Sequence, residues 1–101
     1  MDLGLKNKVA LITGASRGLG AATAEALAEE GVSLVLTARG TESLNAQAER
    51  LGSANGVKAV AIPVDLTKED AANQVVNTAL DAFGGIDILV NSAGASQGGV
   101  F

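Results

Sequence analysis

The stretch LITGASRGLGAA, residues 11–22, places Gly14, Gly18 and Gly20 within seven residues. It continues an apolar run, VALIT at residues 9–13, whose length and β-branching predict a strand buried on both faces. Glycine at this density gives up side-chain burial and costs conformational entropy. It allows a tight turn into a helix, and it lets a pyrophosphate approach the free N–H groups of the helix N-terminus. The alternative is a helix entry that serves chain geometry alone.

Three further strands are predicted at residues 33–38, 57–64 and 86–90, and helices separate them. The first helix ends at Gly31, the second is capped by Thr41 and ends at Gly52, and the third begins with TKED at 67–70 and ends at Gly84. Pro63 is expected at a strand end or a sheet edge. Each predicted helix has an apolar face. The face of the first helix is Leu19, Ala22, Thr23, Ala26 and Leu27; that of the second is Leu44, Ala48 and Leu51; and that of the third is Ala72, Val75, Val76, Ala79, Leu80 and Phe83.

The resulting order, β-α-β-α-β-α-β, predicts an α/β fold: a Rossmann-type parallel sheet with helices on both faces. Right-handed crossovers favour the strand order 3-2-1-4, an incomplete form of that sheet. The order reverses between strands 1 and 4, and a ligand crevice is expected at their carboxyl ends. The loop that contains the three glycines, residues 14–20, is called the glycine loop below. The glycine loop and the sequence NSAG, residues 91–94, both border this crevice.

Composition narrows the possible functions. The chain of 101 residues is 48% hydrophobic and contains no Cys, His, Tyr or Trp, which leaves one compact unit without disulfides or thiolate metal sites. The net charge of −4 argues against a nucleic-acid surface. The first residues, MDLGLKNK, lack an apolar segment of signal-peptide length, and no window is long enough to span a membrane. We therefore expect a cytoplasmic protein without a metal site.

TGASRGLG at residues 13–20 and NSAG at residues 91–94 resemble the TGxxxGxG and NNAG patterns of the classical short-chain dehydrogenase/reductase family. The resemblance covers the whole chain, with Ser92 in place of the second Asn. It implies that residues 1–101 are the N-terminal part of one NAD(P)-binding Rossmann domain. It also implies a set of cofactor-binding residues: Gly14, Ser16, Arg17, Gly18, Leu19, Gly20, Arg39, Asp65, Leu66, Asn91, Ala93 and Gly94.

The end of strand 2 indicates which nicotinamide cofactor is bound. NAD sites usually place an acidic residue there for the ribose hydroxyls, whereas this chain has Ala38 followed by Arg39. An arginine can pair with a 2′-phosphate, and Arg17 in the glycine loop can reach the same group. NADP(H) is therefore favoured over NAD(H). By the resemblance, Asp65 would bind the adenine amino group and Leu66 would add a backbone contact; the alternative for Asp65 is a helix-entry role beside Thr67.

The family's catalytic Ser and Tyr-x-x-x-Lys lie beyond its fourth strand, and this chain has no tyrosine. We therefore expect the N-terminal portion of a longer oxidoreductase acting on a carbonyl or alcohol, inactive by itself. The alternative is a stand-alone nucleotide-binding or structural module without catalysis. Strand 4 would leave an open apolar edge, which predicts that the isolated chain dimerises through strand 4, aggregates or stays partly unfolded. The protein is expected to be a homo-oligomer.

Overall fold

The order of strands in the sheet is the one that the sequence predicts. A computed structural model describes residues 4–15, 18–40 and 42–92. The elements are β1 (Val9–Thr13), α1 (Gly18–Glu29), β2 (Ser33–Ala38), α2 (Glu42–Asn55), β3 (Ala59–Pro63), α3 (Ala71–Phe83) and β4 (Ile88–Asn91). All strand pairs are parallel and the order is β3-β2-β1-β4. The Rossmann-type fold is thereby confirmed, and the carboxyl ends of β1 and β4 lie side by side.

Alternation along the strands divides the core between the two faces of the sheet. Ile12, Leu34 and Leu36 pack against α1 and α2, whereas Leu11 and Val35 pack against α3. Successive side chains of a strand point to opposite faces, so β1, β2 and β3 contribute to both clusters, whereas Ile88 and Val90 of β4 pack against the first cluster only. Helices cover both faces as predicted, α1 and α2 on one and α3 on the other.

The predicted apolar face of α1 is wrong except at Leu27, which is half-buried against the core. Leu19 is 74% exposed, and the buried residues are Gly20, Ala24 and Ala28. The helix is rich in alanine, and several of its faces therefore satisfy the apolar spacing of a helix. Contact between Gly20 and the carbonyl of Gly14 selects the buried face instead.

Helix α2 runs past its predicted end at Gly52 to Asn55. The helix stops at Gly56, which has φ +66° and donates its N–H to the Gly52 carbonyl. The predicted buried face of Leu44, Ala48 and Leu51 is confirmed. The predicted cap, Thr41, lies outside the described residues.

Helix α3 begins at Ala71, so the start predicted for TKED is wrong. Thr67 donates its backbone N–H and its hydroxyl to the Asp65 carboxylate, which makes a turn there rather than a capping box. The residue before α3 is Asp70, in the left-handed conformation at φ 69° and without a side-chain cap.

The predicted buried face of α3 is correct only in part. Val75 and Ala79 are buried and Phe83 is half-buried, whereas Ala72 is exposed. Val76 and Leu80 are 39% and 45% exposed, and Leu89 of β4 is 65% exposed. Among the described residues, nothing covers this side of the sheet beyond α3.

The two outer strands are shorter than predicted. β3 covers 59–63 and β4 covers 88–91, instead of 57–64 and 86–90. Pro63 lies at the end of β3, an edge strand of the described sheet, where its missing N–H costs no ladder hydrogen bond.

Asp87, an acidic residue among apolar neighbours, joins β1 to β4 at their amino ends. Its carboxylate accepts the Val9 N–H at 2.9 Å, and its own N–H donates to the Val9 carbonyl at 2.9 Å. Val9 is buried, and its N–H would therefore lose its acceptor in an Asp87→Ala variant. We expect that variant to lose about 1–3 kcal/mol of unfolding free energy in urea. Asp87→Asn keeps an acceptor oxygen and should lose less; equal losses would contradict this role.

Candidate functional site

Hydrogen bonds fasten the carboxyl ends of β1 and β4 together. The Thr13 hydroxyl donates to the Asn91 side-chain oxygen at 2.9 Å and accepts the Ser92 N–H at 3.1 Å. The Ser92 hydroxyl donates in turn to the Thr13 carbonyl. This network joins β1 to β4 at the point where each strand ends.

The glycine loop turns directly from β1 into α1. Gly14 and Gly18 have φ of 62° and 63°, in the left-handed region that favours glycine. A Cβ on Gly20 would lie 2.2 Å from the Gly14 carbonyl oxygen and 2.7 Å from the Ser92 hydroxyl oxygen. Gly20 therefore has to be glycine for the first turn of α1 to lie against the end of β1. That arrangement brings the helix N-terminus, with its free N–H groups, to the crevice.

Arg39 and Asp65 form an ion pair at the carboxyl ends of β2 and β3. The guanidinium Nη2 lies 3.2 Å from the carboxylate Oδ2. Ala38 pairs with Pro63 in the sheet, and the Val64 N–H donates to the Ala38 carbonyl, which brings the two connections together. The Arg39 side chain is 73% exposed, whereas that of Asp65 is 28% exposed. The cation is thus the accessible member of the pair.

Thr67 fixes the other carboxylate oxygen of Asp65. Its N–H and hydroxyl donate to Oδ1 at 2.9 and 2.6 Å, and together with Arg39 they lower the pKa of Asp65 from 3.8 to about 2. Because the folded-state pKa lies below the unfolded value, the ionised carboxylate stabilises the fold above about pH 3.8. That stabilisation is lost as the pH falls towards 2.

The titration of Asp65 tests this arrangement. We expect its side-chain carboxyl carbon to titrate near pH 2 in an NMR pH series, and Thr67→Val to move the midpoint up towards 3.8. An ordinary midpoint for Asp65 in the unaltered protein would contradict the assignment.

An apolar cleft of about 280 Å³ lies between α3 and the carboxyl ends of β1 and β4. Leu66, Val75, Val76 and Leu89 line it, and Thr13 and Asn91 contribute polar groups. The cleft is small beside the 300–1,000 Å³ typical of ligand sites. It adjoins the crevice on the α3 side.

The structure brings the predicted site residues to one edge of the sheet. Gly14, Gly18, Leu19 and Gly20 lie at the β1–α1 junction; Arg39, Asp65 and Leu66 follow β2 and β3; Asn91 ends β4. Four predicted residues, Ser16, Arg17, Ala93 and Gly94, lie outside the described residues. Sequence reasoning gave no role to Thr13 or Asp87 and took Thr67 for a helix cap. The Asp-x-Thr spacing of an Asx turn was the available signal for Thr67.

Two negative findings apply to the described ranges, 4–15, 18–40 and 42–92. No three His, Cys, Asp or Glu residues come together there as a metal site. None of the helices in those ranges has the length and apolar character that crossing a membrane requires.

The sequence profile of the short chain dehydrogenase family matches residues 8–101. A 3-oxoacyl-[acyl-carrier-protein] reductase of Aquifex aeolicus is 38% identical over 101 residues, which are 100% of this chain and 41% of that protein. The chain thus spans well under half the length of this curated relative.

Two solved structures extend the comparison. L-sorbose reductase from Gluconobacter frateurii, complexed with NADPH and L-sorbose, superimposes with a TM-score of 0.89 at 44% identity, covering 93% of this chain and 36% of that one. A 3-oxoacyl-[acyl-carrier protein] reductase from Brucella melitensis, in complex with NAD, gives 0.78 at 40% identity, covering 87% of this chain and 34% of that one. Both cofactor types thus occur among close structural neighbours.

Proposed function

The chain belongs to the short chain dehydrogenase family, and from that premise we propose that it is the cofactor-binding N-terminal portion of an NADP(H)-dependent oxidoreductase. The substrate would be a small carbonyl or alcohol compound. When bound, the nicotinamide cofactor supplies the hydride chemistry. The residues described above bind and orient it.

The glycine loop fits a dinucleotide. Because Gly20 has no Cβ that would collide with the Gly14 carbonyl oxygen, the helix N-terminus lies close against the end of β1. We assign the pyrophosphate to this loop, through Gly14, Ser16, Gly18, Leu19 and Gly20, and we assign Arg17, together with Arg39, to the 2′-phosphate. We assign Asp65 and Leu66 to the adenine, and Asn91, Ala93 and Gly94 to the cofactor along the end of β4.

The observation that carries the cofactor choice is the exposed guanidinium of Arg39 directly after Ala38. No acidic residue stands at the end of β2 to accept the ribose hydroxyls, since Glu42 is the first acidic residue after it. A 2′-phosphate would add a charge-assisted hydrogen bond to Arg39. NADPH is therefore expected to bind more tightly than NADH.

The resemblance implies a Tyr-x-x-x-Lys pair for proton transfer, and these 101 residues contain no Tyr. The proposal therefore assigns the proton donor and the substrate contacts to residues outside this chain. It also predicts that the isolated chain turns over no ketone or alcohol. Turnover above a protein-free control would contradict that part.

The test is a fluorescence titration of the full-length protein with NADPH and with NADH, followed by a hydride-transfer assay with a panel of small carbonyl compounds. We expect NADPH to bind at least about tenfold more tightly, the effect of one charge-assisted hydrogen bond. Equal affinities would overturn the cofactor choice. Absence of binding by either dinucleotide would favour the structural-module alternative.

The cytoplasmic location and the homo-oligomer both stay predictions. The exposed Leu89 and the second edge of β4, which has no partner strand within the described residues, support association with another copy.

A further inference from the structure

The ion pair between Arg39 and Asp65 joins an exposed guanidinium to a carboxylate that Thr67 anchors. Thr67 holds Oδ1 of the carboxylate with two hydrogen bonds, while Oδ2 accepts from Arg39 at 3.2 Å. The Arg39 side chain is 73% exposed, and its hydrogen bond to Asp65 is made through Nη2. The guanidinium can therefore leave the carboxylate without any change in the backbone.

The ion pair occupies the guanidinium that is proposed to bind the 2′-phosphate of NADPH. In the free protein the accessible cation is neutralised by Asp65, and a 2′-phosphate has to compete with that carboxylate for the guanidinium. A dinucleotide that lacks the 2′-phosphate does not compete with Asp65 for the guanidinium. Exposed ion pairs are weak, so the competition reduces phosphate binding without preventing it.

We propose that Asp65 is a specificity-determining residue that limits the preference for NADPH over NADH by competing with the 2′-phosphate for Arg39. The inference rests on the proposed function. It differs from the adenine contact assigned to Asp65, because an adenine contact acts equally on both dinucleotides and leaves their affinity ratio unchanged.

The variant that tests the inference is Asp65→Asn in the full-length protein. Asparagine keeps an oxygen to accept the N–H and hydroxyl of Thr67, so the turn is retained while the charge is removed. We expect the ratio of NADPH to NADH affinity to rise about twofold to fivefold, the strength of one exposed ion pair that no longer competes for Arg39. Should Asp65→Asn fold poorly, Asp65→Ser removes the same charge and keeps a turn-forming oxygen.

Asp70→Asn is the matched control. It removes the same charge from the same β3–α3 connection, its side chain makes no cap hydrogen bond, and asparagine tolerates the left-handed backbone there. We expect the affinity ratio of this variant to stay at the parent value. An equal rise in Asp70→Asn would show a general charge effect and overturn the inference.

The double variant Asp65→Asn, Arg39→Ala separates action through Arg39 from direct repulsion of the phosphate. If Asp65 acts through Arg39, neutralising it in the Arg39→Ala background should leave the ratio nearly unchanged. The same rise in both backgrounds, or no rise in the parent background, would overturn the inference. The proposed cofactor choice itself would be overturned if the unaltered protein bound NADPH and NADH equally tightly and Arg39→Ala did not change the ratio of the two affinities.

Discussion

Replacing Gly20 with alanine is expected to abolish measurable dinucleotide binding and to destabilise the fold by about 3 kcal/mol. The new Cβ would lie 2.2 Å from the Gly14 carbonyl oxygen and 2.7 Å from the Ser92 hydroxyl oxygen. The nearest of these atoms is backbone, which cannot rotate away as a side chain does. The first turn of α1 must therefore move off the end of β1.

Helix propensity alone gives the opposite sign. Alanine is favoured over glycine inside a helix by about 1 kcal/mol, and Gly20 is the third residue of α1. The tertiary contact outweighs this gain because no real Cβ approaches a backbone oxygen at that distance. Displacement of the helix N-terminus also removes several N–H groups from the phosphates, at about 1.5–3 kcal/mol for each charge-assisted bond.

Urea unfolding and NADPH titration of Gly20→Ala check both parts of the prediction. Gly85→Ala is the matched control, because a Cβ there meets nothing within 4 Å and the residue does not have a positive φ. That control should retain parental binding and be neutral or slightly stabilised. Parental stability and binding in Gly20→Ala would show that the packing of the glycine loop is not as described.

Arg39→Ala is expected to lower NADPH affinity roughly tenfold to a hundredfold, the range that one charge-assisted hydrogen bond spans. NADH affinity should change by no more than about twofold, because NADH lacks the charged 2′-phosphate with which Arg39 pairs. The side chain is 73% exposed, so the unfolding free energy should hardly change.

Arg50→Ala provides the control for Arg39→Ala, since it removes a positive charge from an exposed position of α2 away from the ends of the strands. Its affinities for both dinucleotides should equal those of the parent. Arg39→Lys should recover part of the NADPH affinity, because lysine supplies the charge without the planar fork. An equal loss of NADPH and NADH affinity in Arg39→Ala would mean that Arg39 acts on a part common to both cofactors.

The amino-acid sequence by itself determined the order of elements, the parallel sheet and the place of the crevice. These follow from local patterns: apolar runs of strand length, helical spacing between them, and the glycines that separate the two. The right-handed crossover then leaves few topologies, and 3-2-1-4 is the one observed. The candidate site followed because the loops after β1 and β4 must meet at the switch point.

Tertiary structure decided what the local pattern left ambiguous. The buried face of α1 depends on the approach of Gly20 to Gly14, since alanines satisfy the spacing on several faces. The start of α3 depends on Thr67 binding Asp65 rather than capping a helix.

The partners of Arg39 and Asp87 were likewise decided by the tertiary structure. These side chains bond to residues 26 and 78 positions away in the chain. Neither pairing has a periodic signal, because the two partners become neighbours only after the strands have assembled into the sheet. A charge at the end of a strand can be located from the sequence, but the group that neutralises it is set by the register of the neighbouring strand.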